Sequence, residues 1–186
     1  MAAALLLTGG CTAPAPAGSA GPYRNADHVP VLTRGGLTYV GGQPFSGTLY
    51  RLGPGGSHDT LLVQPYAQGR EQGFGREYYS GGQLRARRYF AAGRKHGRYL
   101  GWWPNGRRRL DYTFLNDEYE GPGREWTPAG VLTRAMHYHQ GQEQGRQTLW
   151  YDDGRLRANY TIAHGRRYGL LGTKNCRNDA QTLTNR

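Results

Sequence analysis

Hydrophobic and polar positions alternate along much of this chain in short runs separated by glycine-bearing turns. Phe90, Phe114, Tyr138 and Ile162 hold equivalent places in four such runs, and Tyr112, Met136 and Tyr160 stand two residues before the last three of them. Leu84, Leu132 and Leu156 open three of the runs, with Arg108 at that place in the fourth. All share one parity, so all are expected on one side. The positions between them hold Arg85, Arg109, Thr133 and Arg157, then Arg87, Asp111, Ala135 and Asn159, a mostly polar side. A period of two marks a half-buried β-strand. Each run follows a first arm such as Arg98-Tyr99-Leu100-Gly101-Trp102-Trp103, which ends in a turn at Pro104-Asn105-Gly106. Asn105-Gly106 and Asp153-Gly154 are signals for a two-residue type I′ hairpin turn, with Gly81-Gly82 and Ala129-Gly130 in the same place.

The hairpins recur. Gly73, Gly97, Gly121, Gly145 and Gly169 are spaced 24 residues apart, as are Gly82, Gly106, Gly130 and Gly154, and Tyr78, Trp102, Trp126 and Trp150. Such a period means a repeat architecture. A lone hairpin is marginal in water, and stacking hairpins makes the buried face continuous. The predicted fold is all-β: an elongated antiparallel β-hairpin meander built from 24-residue repeats over residues 73–169. Residues 31–72 form an irregular N-terminal capping unit with short strands at Val31–Thr33, Leu37–Val40, Phe45–Tyr50 and Leu61–Val63. Its extra length falls in the Gly53–Asp59 loop. Residues 170–186 are a C-terminal tail.

These residues resemble MORN repeats, most closely the short bacterial variant that carries a YwqK-like antitoxin label. The resemblance rests on Glu77-Tyr78-Tyr79-Ser80-Gly81-Gly82, Gly93-Arg94-Lys95-His96-Gly97, Trp102-Trp103-Pro104-Asn105-Gly106 and Trp150-Tyr151-Asp152-Asp153-Gly154. It implies a single-sheet meander with a shallow groove, and a non-catalytic platform for proteins and, in some members, acidic lipids. The antitoxin label implies an alternative, an inhibitor of a neighbouring toxin. Two residues depart from the pattern. Asp117 replaces the glycine found at Gly93, Gly141 and Gly165, and Thr127 replaces the second aromatic of the turn. Both are expected to loosen the third copy's turn and pairing.

Composition fits a thin interior. Of 186 residues, 37% are hydrophobic, with 30 glycines and 14 tyrosines, so aromatics rather than aliphatics must fill the core. The length suits one domain. The net charge of +11 is uneven: +5 over residues 73–97, zero over 98–145 and +3 over 146–169. It is nearly all arginine, since Lys95 and Lys174 are the only lysines. Candidate binding patches are Arg85, Arg87, Arg88 and Arg94 at one end, and Arg155, Arg157, Arg166 and Arg167 at the other. No nucleic-acid motif accompanies the charge, so a solvated face is the simpler reading, and a patch for acidic lipid, nucleic acid or an acidic protein the alternative.

Residues 1–11 read as an apolar run closing in Gly9-Gly10-Cys11, which resembles a bacterial lipoprotein signal. Thr8 stands where that family usually has leucine, and no basic residue precedes the run; a start codon placed too far downstream accounts for both. The resemblance implies lipidation at Cys11, with residues 12–30, rich in Pro, Ala, Gly and Ser, as a flexible tether. Cys176 would then be unpaired, and two cysteines are too few for a disulfide framework.

Little points to chemistry. His137 and His139 share a strand face and are the only candidate metal pair, with His164 in a neighbouring repeat. A structural zinc site needs four ligands, and exposed histidines are the simpler reading. No nucleophile elbow, zinc-hydrolase or phosphate-loop motif occurs. No enzyme and no cofactor is expected. The Tyr78, Trp102, Trp126 and Trp150 column reads as the sheet's own packing. The functional expectation is a membrane-anchored, extracytoplasmic lipoprotein scaffold that binds a protein partner. A toxin inhibitor is the alternative, and a metal- or acidic-lipid-binding protein the second alternative.

Overall fold

The computed structural model describes residues 21–54 and 59–172. Cys11, Cys176, the signal-like segment, residues 12–20 of the tether and most of the tail lie outside the described residues. Among the described residues the chain is all-β. The strands are β1 (Tyr23–Asn25), β2 (Val31–Arg34), β3 (Leu37–Val40), β4 (Gln43–Pro44), β5 (Gly47–Leu52), β6 (Thr60–Ala67), β7 (Arg70–Glu71), β8 (Gly73–Tyr78) and β9 (Leu84–Ala91). They continue as β10 (Arg94–Trp102), β11 (Arg108–Leu115), β12 (Glu118–Tyr119), β13 (Gly121–Trp126) and β14 (Leu132–His139). The last four are β15 (Gln142–Glu143), β16 (Gly145–Trp150), β17 (Leu156–Ala163) and β18 (Arg166–Leu170).

One sheet holds β1-β5-β6-β8-β9-β10-β11-β13-β14-β16-β17-β18, with β7, β12 and β15 pairing from the side. The hairpins follow one another in chain order, so the sheet is a meander. At roughly 4.8 Å per strand step it extends for about 50 Å. Strands β2, β3 and β4 make a separate small sheet. The first strand departs from the tether expectation. Tyr23–Asn25 pairs in parallel with Thr48–Tyr50, and Asn25 is buried. Pairing satisfies backbone groups that a solvated tether would leave to water.

Two local expectations are corrected. The turns are not type I′. Gly82, Gly106, Gly130 and Gly154 donate to the carbonyls of Tyr79, Trp103, Thr127 and Tyr151, and each glycine has positive φ. Asn105, Ala129 and Asp153 do not; Gly81 does, but the first turn keeps the same bonds, Gly82 to Tyr79 and Tyr79 to Gln83. This is a three-residue loop with a glycine bulge, which needs a single left-handed residue. Asn105 and Asp153 serve it by accepting the N–H two residues on, from Arg107 and Arg155.

The second correction concerns faces. Glu77 pairs with Ala86 but Tyr78 with Leu84, so Arg85 is an extra residue. Arg109, Thr133 and Arg157 are extra in the same way. A β-bulge of one residue reverses which face the strand presents. Leu84, Leu132 and Leu156 therefore join Tyr78, Trp126 and Trp150, opposite Phe90, Tyr138 and Ile162. Arg108 occupies the matching place, with its guanidinium 4.7 Å from the Trp102 ring. The alternation holds only on the far side of each bulge. There Ala86, Phe90, Tyr112, Phe114, Met136, Ala158 and Tyr160 are buried on one face of a single-layer sheet.

Asp117 and Thr127 do not loosen the third copy. Asp117 takes φ +77° and donates to the Lys95 carbonyl, as Gly93 and Gly141 donate to Glu71 and Tyr119. Its carboxylate also accepts the Lys95 N–H at 2.9 Å. The Thr127–Val131 turn keeps its backbone bonds, and the Thr127 hydroxyl accepts the Val131 N–H.

Candidate protein-binding face

The buried face carries the richest side-chain constellation. Strand β10 contributes Tyr99, β11 Tyr112 and Phe114, β12 Tyr119 and β14 Tyr138. Their rings form a continuous band. Phe114 stacks on Tyr119 at 4.5 Å, Tyr112 meets Tyr119 at 4.9 Å, and Tyr119 meets Tyr138 at 5.1 Å. Tyr99 joins at 6.0 Å from Phe114. Such tilted and offset contacts add roughly 0.5–1.5 kcal/mol each beyond area burial. Within the band Tyr112 and Phe114 are buried, whereas Tyr99, Tyr119 and Tyr138 are half-buried.

Glycine makes room for it. A Cβ at Gly123 would lie 2.4 Å from a Tyr112 ring carbon. In the same register position Gln147 is fully buried, and its amide donates to the carbonyls of His137 and Gln144. The column 75/99/123/147 thus holds Gly, Tyr, Gly and Gln, and Gly75 makes room for the buried Gln64 amide as Gly123 does for the Tyr112 ring.

Carboxylates line the band. Glu125 accepts the Tyr112 hydroxyl at 2.6 Å and lies 3.6 Å from Arg134. Glu77 pairs with Arg88, whose guanidinium sits 5.0 Å from the Tyr99 ring. Glu143 lies 3.4 Å from both the Tyr160 hydroxyl and Arg167, and Arg167 covers the Tyr160 ring at 5.2 Å. Burial, and then the hydrogen bond to anionic Glu125, push the Tyr112 phenol far above its ordinary value. Burial raises the Tyr119, Tyr138 and Tyr160 phenols too. Glu71 is also raised, chiefly by burial. The phenols stay neutral near neutral pH, and the face presents rings and hydroxyls rather than phenolates.

The arginine candidates are brought together only in part. Arg87 and Arg88 are sequence neighbours on β9 and point to opposite faces. Arg88 joins the aromatic face, while Arg87 lies over Phe74 at 5.2 Å on the other. Arg85 sits at a bulge, 5.9 Å from the Tyr79 ring, and Arg94 is exposed. Arg155 is paired with Asp153 at 2.6 Å, and backbone and side-chain bonds from Arg155 hold that carboxyl below its usual range. Arg157 sits at a bulge, Arg166 faces away from Arg167, and all three are exposed. The sequence pattern did not single out the basic row on the polar face. Arg76 pairs across with Arg87, and Arg98, Arg124 and Arg146 follow from later strands. Asp111 pairs across with Arg124 and is ion-paired with Arg98 at 2.5 Å, which breaks the row.

His137 and His139 are exposed. His139 Nδ1 lies 3.0 Å from Glu120, whose carboxyl is held low first by the Gln140 N–H and then by His139. Among the described residues no group of three or more His, Cys, Asp or Glu is placed to hold a metal. Tyr119 and Glu125 were likewise not singled out. Their signal was present in the 24-residue columns 71/95/119/143 and 77/101/125/149, which mix residue types and so hide from a search for recurring letters.

The chain matches no family model and no curated protein.

Proposed function

We propose that this protein is a non-catalytic scaffold that uses the aromatic face to hold a protein partner. One observation carries the reading: the band of Tyr99, Phe114, Tyr119 and Tyr138 is continuous over several strands, and among the described residues no second layer covers it. Aromatic clusters with neutral phenols are what protein interfaces use as anchors. The carboxylates beside the rings add hydrogen-bond acceptors for a partner's donors. In this reading Cys11 is the lipid anchor, and the domain works outside the cytoplasm.

Two experiments test the two parts. Pull-down from a membrane fraction compares wild type with the Tyr119→Arg/Tyr138→Arg double variant, after circular dichroism shows that the variant is folded. A partner held by wild type should be lost from the double variant; retention of the same partner removes the aromatic face from the reading. Intact mass of the native protein tests the anchor. A diacyl or triacyl adduct on Cys11 supports it, and a mass that retains unmodified Met1 removes it.

A further inference from the structure

The repeats share a second ladder at the turn end of the aromatic face. The Tyr79 hydroxyl donates to the Trp102 carbonyl at 3.0 Å, and the Trp103 indole N–H donates to the Trp126 carbonyl at 2.9 Å. Each ring crosses to the next repeat, 23 residues on. Each also lies under a bulge arginine of its own hairpin: Arg85 is 5.9 Å from the Tyr79 ring and Arg109 is 5.8 Å from the Trp103 ring. The third repeat lacks both parts. Thr127 stands at the ring position and Thr133 at the bulge position.

The result is a cleft of about 360 Å³ lined by Trp103, Arg109, Glu125, Thr127, Thr133 and Asp152, among others. That volume lies at the small end of ligand pockets. The ladder defines what fits. By the 24-residue period the ring equivalent to Trp103 would stand at Thr127, which lines the cleft, and the carbonyl equivalent to that of Trp126 belongs to Trp150, one repeat on. Among the described residues no side chain donates to that carbonyl. Arg109 Nε is buried without a hydrogen-bond partner and offers a donor at the wall. A phenol both donates and accepts, whereas an indole only donates.

We propose that the missing rung is supplied from outside, and that the cleft takes a tyrosine side chain presented by a partner polypeptide. The cleft is open to solvent, so the ring can enter from a chain lying across it. Trp103 stacks on the ring, the phenol hydroxyl donates to the Trp150 carbonyl, and Arg109 donates to an oxygen of the ligand. The inference rests on this cleft and not on the band formed by Tyr119 and Tyr138, so the two fail separately.

The test uses N-acetyl-L-tyrosinamide as the probe, followed by nuclear magnetic resonance of the tryptophan indole N–H groups. Saturable binding at low-millimolar concentration or tighter should shift Trp103 and Trp126 more than Trp102 and Trp150. N-acetyl-L-phenylalaninamide lacks the hydroxyl and should bind roughly 2- to 10-fold more weakly, the effect of one hydrogen bond. Thr127→Tyr rebuilds the rung from within; it should raise the melting temperature and abolish probe binding. Thr133→Arg restores only the covering guanidinium and should weaken binding in a protein folded like wild type. No saturable shift, equal binding of the phenylalanine probe, or binding that survives Thr127→Tyr overturns the proposal. A concentration-dependent dimer that Thr127→Tyr abolishes would make a second copy the occupant, and would overturn the foreign partner.

Discussion

At the scale of residues, the Tyr112–Glu125 contact concentrates several effects. The phenol donates at 2.6 Å to an anion, a bond worth about 1.5–3 kcal/mol. Tyr112→Phe keeps the ring in the band and removes the bond, so chemical denaturation should show a loss of about 1–2 kcal/mol. The same contact sets a pH dependence. The Tyr112 pKa is raised in the folded state, and the unfolded value is about 10. The folded chain keeps this proton where the unfolded chain has lost it. The linked stability is complete below about pH 10 and is lost as pH rises through the alkaline range. Melting temperatures from pH 8 to 11 should fall less steeply in Tyr112→Phe than in wild type. An unchanged slope would assign the alkaline loss to other phenols. Gly123 tests the cradle. Its Cβ would meet the Tyr112 ring at 2.4 Å, so Gly123→Ala should cost about 1–3 kcal/mol through overpacking, read by thermal melting.

At the scale of elements, the hairpin is a unit whose details compensate for one another. The glycine that ends each turn admits a positive φ, and the bulge that follows reverses the strand's face. This lets the second arm supply both the core face and the leucines that join the Tyr78, Trp126 and Trp150 row. Asp117 shows how a departure from the pattern is absorbed. Its left-handed backbone would strain most side chains, but its carboxylate caps the Lys95 N–H. Asp117→Ala should lose about 1–2 kcal/mol, because the strain remains and the bond goes. Asp117→Gly should lose less, because strain and bond go together. If urea denaturation gives the alanine and glycine variants equal stability, backbone strain is not part of the balance at this position.

At the scale of the molecule, a single layer cannot enclose its core from both sides. Stability is spread over neighbouring hairpins, each of which pairs only with those before and after it. A substitution among buried neighbours in the middle copies should therefore cost more than one beside an exposed edge strand. Phe114→Ala should destabilise more than Ile162→Ala by urea denaturation. Phe114 is buried among rings from neighbouring strands, whereas Ile162 is half-buried and pairs onto the exposed edge strand β18.

Much of this was legible in the chain itself. The 24-residue period, the hairpins and the parity of Phe90, Phe114, Tyr112, Met136 and Tyr160 follow from local rules: glycine permits turns and alternation assigns faces. Those rules act over a few residues, so the sequence by itself determined the meander and its repeat. The tertiary structure decided what depends on register between strands. It moved Leu84, Leu132 and Leu156 across the sheet, and made a strand of Tyr23–Asn25. It also joined Tyr119 to Tyr112 and Tyr138 from three strands. One bulge residue reverses a face and one cross-strand pair sets a neighbour, and neither is written in the spacing of letters. Thr127 shows the division most clearly. The sequence marks it as a missing aromatic, while only the stacked repeats reveal that its absence leaves a cleft.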